Sequence, residues 1–180
     1  MKAKTAPFAQ PENLYELMEM TAEAIELLPK NYYQDSFSMH AKDVPSDTET
    51  CNNDEGDLTA RGKRLSKKAC GTAFCRAGWM MAILDPKLGK MNPDSIDDHE
   101  EIYKPAMNLL TDAGCDAGVV GHLFGGGSGI NGERWGTKAY AKAGAKGVRD
   151  FMEQYKTELK AARLTKNSAG RYSVSVSDAA

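Results

Sequence analysis

One stretch constrains the fold more than any other. A helix over Ala73–Leu84 carries Phe74, Cys75, Ala77, Trp79, Met80, Met81, Ile83 and Leu84 on nearly every side. A surface helix shows a single apolar stripe, whereas a helix that is apolar all round has to be enclosed. The remaining chain must therefore wrap this segment. Thr72 is the expected N-cap, because its hydroxyl can accept from the free amides of the first turn. Asp85 is the expected end, since the residue before Pro86 avoids the helical region. Gly78 falls mid-helix, where it suits close packing.

The wrapping elements can be read from periodicity. Leu14, Leu17, Met18, Thr21, Ile25 and Leu28 recur at three and four, which predicts a helix from Pro11 to Leu28, stopped by Pro29. Glu12, Glu16, Glu19, Glu23 and Glu26 mostly take its other face. Residues 30–68 read as an irregular insertion, in which "NYYQDSFSM" offers a short strand or aromatic anchors. Pro93 opens a helical turn. Pro105 fits the first position of a short helix ending at Gly114, and Asp116 caps another over Ala117–Phe124. A loop with six glycines follows between 125 and 136. Thr137 caps a long helix to about Leu164, in which Gly144 and Gly147 imply close packing, since each costs about 1 kcal/mol relative to alanine. In the tail, Tyr172, Val174 and Val176 alternate with Ser173, Ser175 and Ser177, the period of a strand. "TKNSAG" reads as a polar linker before it.

Bulk properties narrow the function classes. The chain has 180 residues, 41% hydrophobic and 27% charged, which fits one domain with extensions. Its formal charge of −2 leaves no general basic footprint, which counts against nucleic acid. Basic residues cluster once, at Arg61, Lys63, Arg64, Lys67 and Lys68, as a solvated face or a contact for an anionic partner. No apolar run reaches membrane-spanning length, and the first residues hold no signal-peptide core, so a cytoplasmic or virion location is expected. Four cysteines without an export signal favour free thiols.

Five groups of residues are candidates for chemistry or contact. Cys75, in the opening turn of a helix capped by Thr72, would feel the positive helix end and gain thiolate character. It needs a base, and His122, with Asn131 as orienter, is the best of His40, His99 and His122. The competing reading makes Cys75 a small buried apolar residue. Cys70 and Cys75 are the only close pair for a zinc site, and their spacing, with four residues between, is wide for one. The acidic segment around Gly56 has the composition of a calcium loop. The alignment puts Cys51 and Gly62 at positions that need an aspartate and a glutamate. Gly127, Gly129 and Gly132 satisfy G-x-G-x-x-G as text but follow no strand, so no nucleotide or other cofactor is implied. Finally, Trp135 and the alternating Tyr172, Val174 and Val176 are candidate contact residues, the tail pairing with a sheet of another subunit.

Cys70, Gly71, Thr72, Cys75, Ala77, Gly78 and Trp79, with the later pair Leu123-Phe124, form a pattern C-G-T-x-x-C-x-A-G-[WH]. It resembles a segment shared by small uncharacterised bacterial and bacteriophage proteins, over about residues 70–135. The resemblance implies a compact helical domain and a phage or prokaryotic source, and it carries over no catalytic role.

These readings combine into a mainly α protein. A compact helical domain, 11–164, surrounds the buried central helix 73–84, with extended arms at 1–10 and 165–180. A small β element is drawn from the 31–40 region and the tail. The leading expectation is a non-enzymatic interaction or structural protein, such as a component of a phage particle or other assembly, contacting other protein subunits through its arms. The alternatives are a cysteine-nucleophile enzyme using Cys75 with His122, and a zinc-stabilised binding module.

Overall fold

A computed structural model describes residues 10–34, 38–40, 72–88, 91–125 and 137–176. The protein is mainly helical. Helix α1 spans Leu14–Leu27. It starts three residues later than Pro11 because Asn13 is the cap, its side chain accepting from the Glu16 amide. The predicted apolar stripe is its buried face, and Pro29 turns the chain into a short 3₁₀ segment, Pro29–Asn31.

The central helix, α2, spans Arg76–Leu84, and every one of its residues is buried. Its start corrects the expectation. Thr72–Phe74 is not the beginning of the helix but a strand, β2, paired antiparallel with β1 at Ser38–His40. The Phe74 carbonyl also accepts from the Tyr33 amide. With residues 72–74 held extended, the helix can only begin after them, and Cys75 becomes its N-cap instead of Thr72. The stop at Asp85 before Pro86 is as predicted.

Beyond α2, Pro93–Ser95 forms a 3₁₀ turn and Asp98–Tyr103 one turn of π-helix. Helix α3 follows at Lys104–Asp112, then Gly114 with φ of 95°, where a side chain would be strained. Helix α4 occupies Ala117–Phe124, capped by Asp116. Helix α5, Lys138–Gln154, begins at its Thr137 cap and packs along α1. This helix ends ten residues short of the expected Leu164. The helix breaks at Tyr155, resumes as α6 at Lys156–Ala161, and then becomes strand β3 at Ala162–Lys166.

The tail is a strand, β4, at Tyr172–Val176, as its alternation predicts. Its partner in the structure is β3 of the same chain, in antiparallel register from Ala162 opposite Val176 to Lys166 opposite Tyr172. The expected linker is therefore a hairpin turn. Gly170, with φ of 80°, donates to the Asn167 carbonyl and supplies the left-handed residue that a three-residue hairpin loop needs. The two predicted strand regions do not pair with each other; each belongs to its own two-stranded sheet.

A buried polar cluster locks these pieces around α2. Gln34 donates through Nε2 to the Phe124 carbonyl at 3.0 Å, at the end of α4. Its Oε1 accepts from the Tyr32 hydroxyl at 3.0 Å and from the Arg76 amide at 3.3 Å. The Gln34 amide donates to the Tyr140 hydroxyl on α5. Arg76, only 3% exposed, donates from Nη1 to the Leu123 carbonyl and from Nε to the Gly144 carbonyl. Trp79 donates to the Asn31 carbonyl. Buried polar groups demand such partners, so the cluster specifies one arrangement of four segments.

Candidate functional site

Cys75 sits where the sequence suggested reactivity, at the N-terminus of α2, but its surroundings remove that reactivity. Its side chain is fully buried, 0% exposed. Burial pushes the thiol up from 9.0 to about 12, against a smaller opposing effect of the Gly78 and Ala77 amides. The Gly78 amide donates to the sulfur at 3.4 Å, which is an N-cap bond. Desolvation outweighs the helix terminus, so the group is a neutral thiol at ordinary pH. His122 lies exposed on α4, and no bond joins it to Cys75 among the described residues. The pairing of Cys75 with His122 is thus corrected to a sealed capping thiol and a separate surface imidazole. Cys115 is also buried, with its thiol pushed up to about 12 by burial.

Cys70, Cys51, Trp135, Asn131, the basic run 61–68 and the glycine loop from 126 to 136 lie outside the described residues. Among the described residues no group of three or more His, Cys, Asp or Glu is placed to hold a metal, and no helix is long and apolar enough to cross a membrane. His122 lines a groove of about 330 Å³ between α4 and α5, with Arg76, Leu123, Lys146 and Phe151. Arg76 reaches it because Gly147 has no side chain: a Cβ there would lie 2.7 Å from Arg76 Nη2. Lys146 is paired with Asp150 on its rim.

The remaining candidates, Tyr172, Val174 and Val176, stand together on β4. Their backbone direction follows from the bonding pattern. The Asn167 amide donates to the Arg171 carbonyl at 2.9 Å, which makes 167/171 a bonded pair. Bonded pairs alternate along an antiparallel ladder. In the observed register, Thr165/Ser173 and Arg163/Ser175 therefore bond across the hairpin, whereas Tyr172, Val174 and Val176 turn their amides and carbonyls away from β3. Leu164 confirms the phase: its amide points off the opposite side of β3 to the Glu12 carbonyl at 3.0 Å. Asn13 also bridges Arg163 there. The outer edge of β3 is thus occupied by residues 12–13, while the outward groups of Tyr172, Val174 and Val176 have no backbone partner among the described residues.

The side chains complete the picture. Tyr172 and Val174 pack against the core on the inner face, with the Tyr172 hydroxyl donating to Gln10 Oε1 at 2.6 Å. Ser173 and Ser175 are exposed on the other face, and Ser173 bonds Thr165 across the hairpin at 3.0 Å. Val176, 50% exposed, is the one exposed large hydrophobic side chain among the described residues. What the sequence reading missed was β3: the segment "ARLTK" has no strand period that stands out from the helix before it. The turn chemistry of "NSAG" was the available signal. Comparison with known protein families, with curated proteins and with solved structures finds no match to this chain.

Proposed function

We propose that the protein is a non-enzymatic interaction protein, a structural component of an assembly such as a phage particle, and that it engages its protein partner by strand addition at β4. The observation that carries this reading is the edge of Tyr172–Val176, whose outward groups have no backbone partner among the described residues. Three residues present outward amides and carbonyls in register, on a strand with no charge, no proline and no bulge. Strand edges that stay single are normally blunted by such devices. Main-chain bonds to an added strand supply affinity, and side chains on alternate positions supply selectivity. The reading as a thiol enzyme lacks support, because Cys75 is enclosed and neutral. For the zinc reading, one of its two ligands, Cys75, is the same enclosed thiol.

Backbone amide exchange followed by NMR tests the proposal. In dilute protein the amides of Tyr172, Val174 and Val176 exchange rapidly, while those of Ser173 and Ser175 are protected by the hairpin. Extended peptides selected from a display library slow the exchange of the first three. If neither such peptides nor concentrated protein protects the Val174 amide, β4 is not an interaction edge.

A further inference from the structure

We propose that the groove between α4 and α5 binds a small organic carboxylate, an anion with a short apolar body, and that Arg76 receives its charge. The site lies apart from β4 and does not depend on strand addition. Its defining group is a buried cation. Arg76 is 3% exposed, yet it lines the groove together with Gly147. Two bonds orient the guanidinium: Nη1 donates to the Leu123 carbonyl at 2.9 Å and Nε to the Gly144 carbonyl at 3.2 Å. Both acceptors are neutral, so these bonds hold the group without cancelling its charge.

Gly147 opens the way to that charge. A Cβ there would lie 2.7 Å from Nη2 and 3.2 Å from Cζ of Arg76, so any side chain would displace the guanidinium or cover it. Glycine weakens a helix interior, and here the volume it vacates belongs to the groove. The lining also fixes the sign of the ligand. Asp150 is the one carboxylate among the described lining residues, and Lys146 pairs with it on the rim. That pair neutralises itself, and the formal charge left in the lining is that of Arg76. His122, exposed on α4, adds a ring nitrogen at the rim.

The remaining walls set the body and size of the ligand. Leu123 and Phe151 belong to the buried core, and Val119 packs against the same core. A groove of about 330 Å³ stands at the small end of ligand sites, which run from about 300 to 1,000 Å³. One planar guanidinium matches one carboxylate in its fork geometry. A monocarboxylate with a chain of a few carbons therefore suits the site better than inorganic phosphate, which would leave the apolar walls uncovered.

The test is titration of the full chain followed by backbone NMR. Hexanoate should shift the amides of His122 and Gly147 saturably, with a dissociation constant on the order of 1 mM, and leave Val174 on β4 unmoved. Hexanamide, its neutral counterpart of the same shape, should bind at least about tenfold more weakly. Inorganic phosphate should also bind more weakly than hexanoate. Gly147→Ala should weaken hexanoate about tenfold. Because that alanine presses on a residue of the buried cluster, a second variant repeats the test at an exposed position. His122→Glu puts a carboxylate on the rim, and it should weaken hexanoate while leaving hexanamide binding and the melting temperature unchanged. Equal affinity for hexanoate and hexanamide overturns the proposal, as does phosphate bound as tightly as hexanoate. The absence of a saturable shift at Gly147 overturns it too. None of these outcomes bears on the β4 amides, whose exchange tests strand addition separately.

Discussion

Cys75 shows how one residue can hold a reactive position and lose the reactivity. Its sulfur accepts from the Gly78 amide at the start of α2, the place where a thiol is ordinarily made acidic. Enclosure reverses the sign, and the thiol sits at about 12 instead of 9.0. A consequence for stability follows. Above about pH 9 the unfolded chain releases this proton and the folded one keeps it, so the unfolded state binds fewer protons and stability falls with rising pH. The fall runs from about 9 towards the folded value of about 12. Cys115 acts in the same direction. Denaturant unfolding at a series of alkaline pH values should show a shallower loss in Cys75→Ala than in wild type. Iodoacetamide should leave Cys75 unlabelled in native protein and label it after unfolding, as mass spectrometry of the peptide would show; rapid native labelling would contradict the enclosure.

At the scale of elements, the packing of α1 and α5 decides most of the fold. Arg149 on α5 grips Glu26 on α1 through two bonds of 2.7 and 2.8 Å, and this bidentate pair holds the Glu26 carboxyl below its usual range. Gly144 lets α5 approach further. A Cβ at that position would lie 2.4 Å from the Tyr32 ring, which is itself fully buried. Gly144→Ala should therefore destabilise the protein by about 1–3 kcal/mol as overpacking, even though alanine is the better helix former. Urea unfolding checks this, and a stabilised variant would show that the ring can move aside. This glycine was legible in the sequence, since a helix does not retain such a residue without a packing reason. So were α4 with its Asp116 cap and the proline stop of α1, because local chemistry decides them. The start of α2 and the end of α5 were not legible. Thr72–Phe74 and Ala162–Lys166 are strands because remote segments pair with them, and no local pattern records that. The edge residues Tyr172, Val174 and Val176 were visible from their alternation, but which of their groups face outward depended on β3.

For the whole molecule, Gln34 is the joint. Its side chain alone connects the segment after α1, the first amide of α2 and the last carbonyls of α4. Gln34→Met keeps the volume and removes those partners, and each buried group left unsatisfied costs about 1–3 kcal/mol. Because all these elements share one core, the loss should lower a single cooperative transition. Far-UV circular dichroism and tryptophan fluorescence should still coincide during unfolding. Separate midpoints would mean that α4 and α5 can melt away from α2 without the rest.

The bond from Leu164 to the Glu12 carbonyl joins the two ends of the fold, as does Tyr172 to Gln10. The partners are about 150 residues apart in the chain, so these contacts close very long loops. During synthesis α1 emerges well before β3, the strand it has to meet. The seam of the fold therefore cannot close before β3 has been made. A ribosome stalled before Ala162 would hold a nascent chain with its helices present and its seam still open.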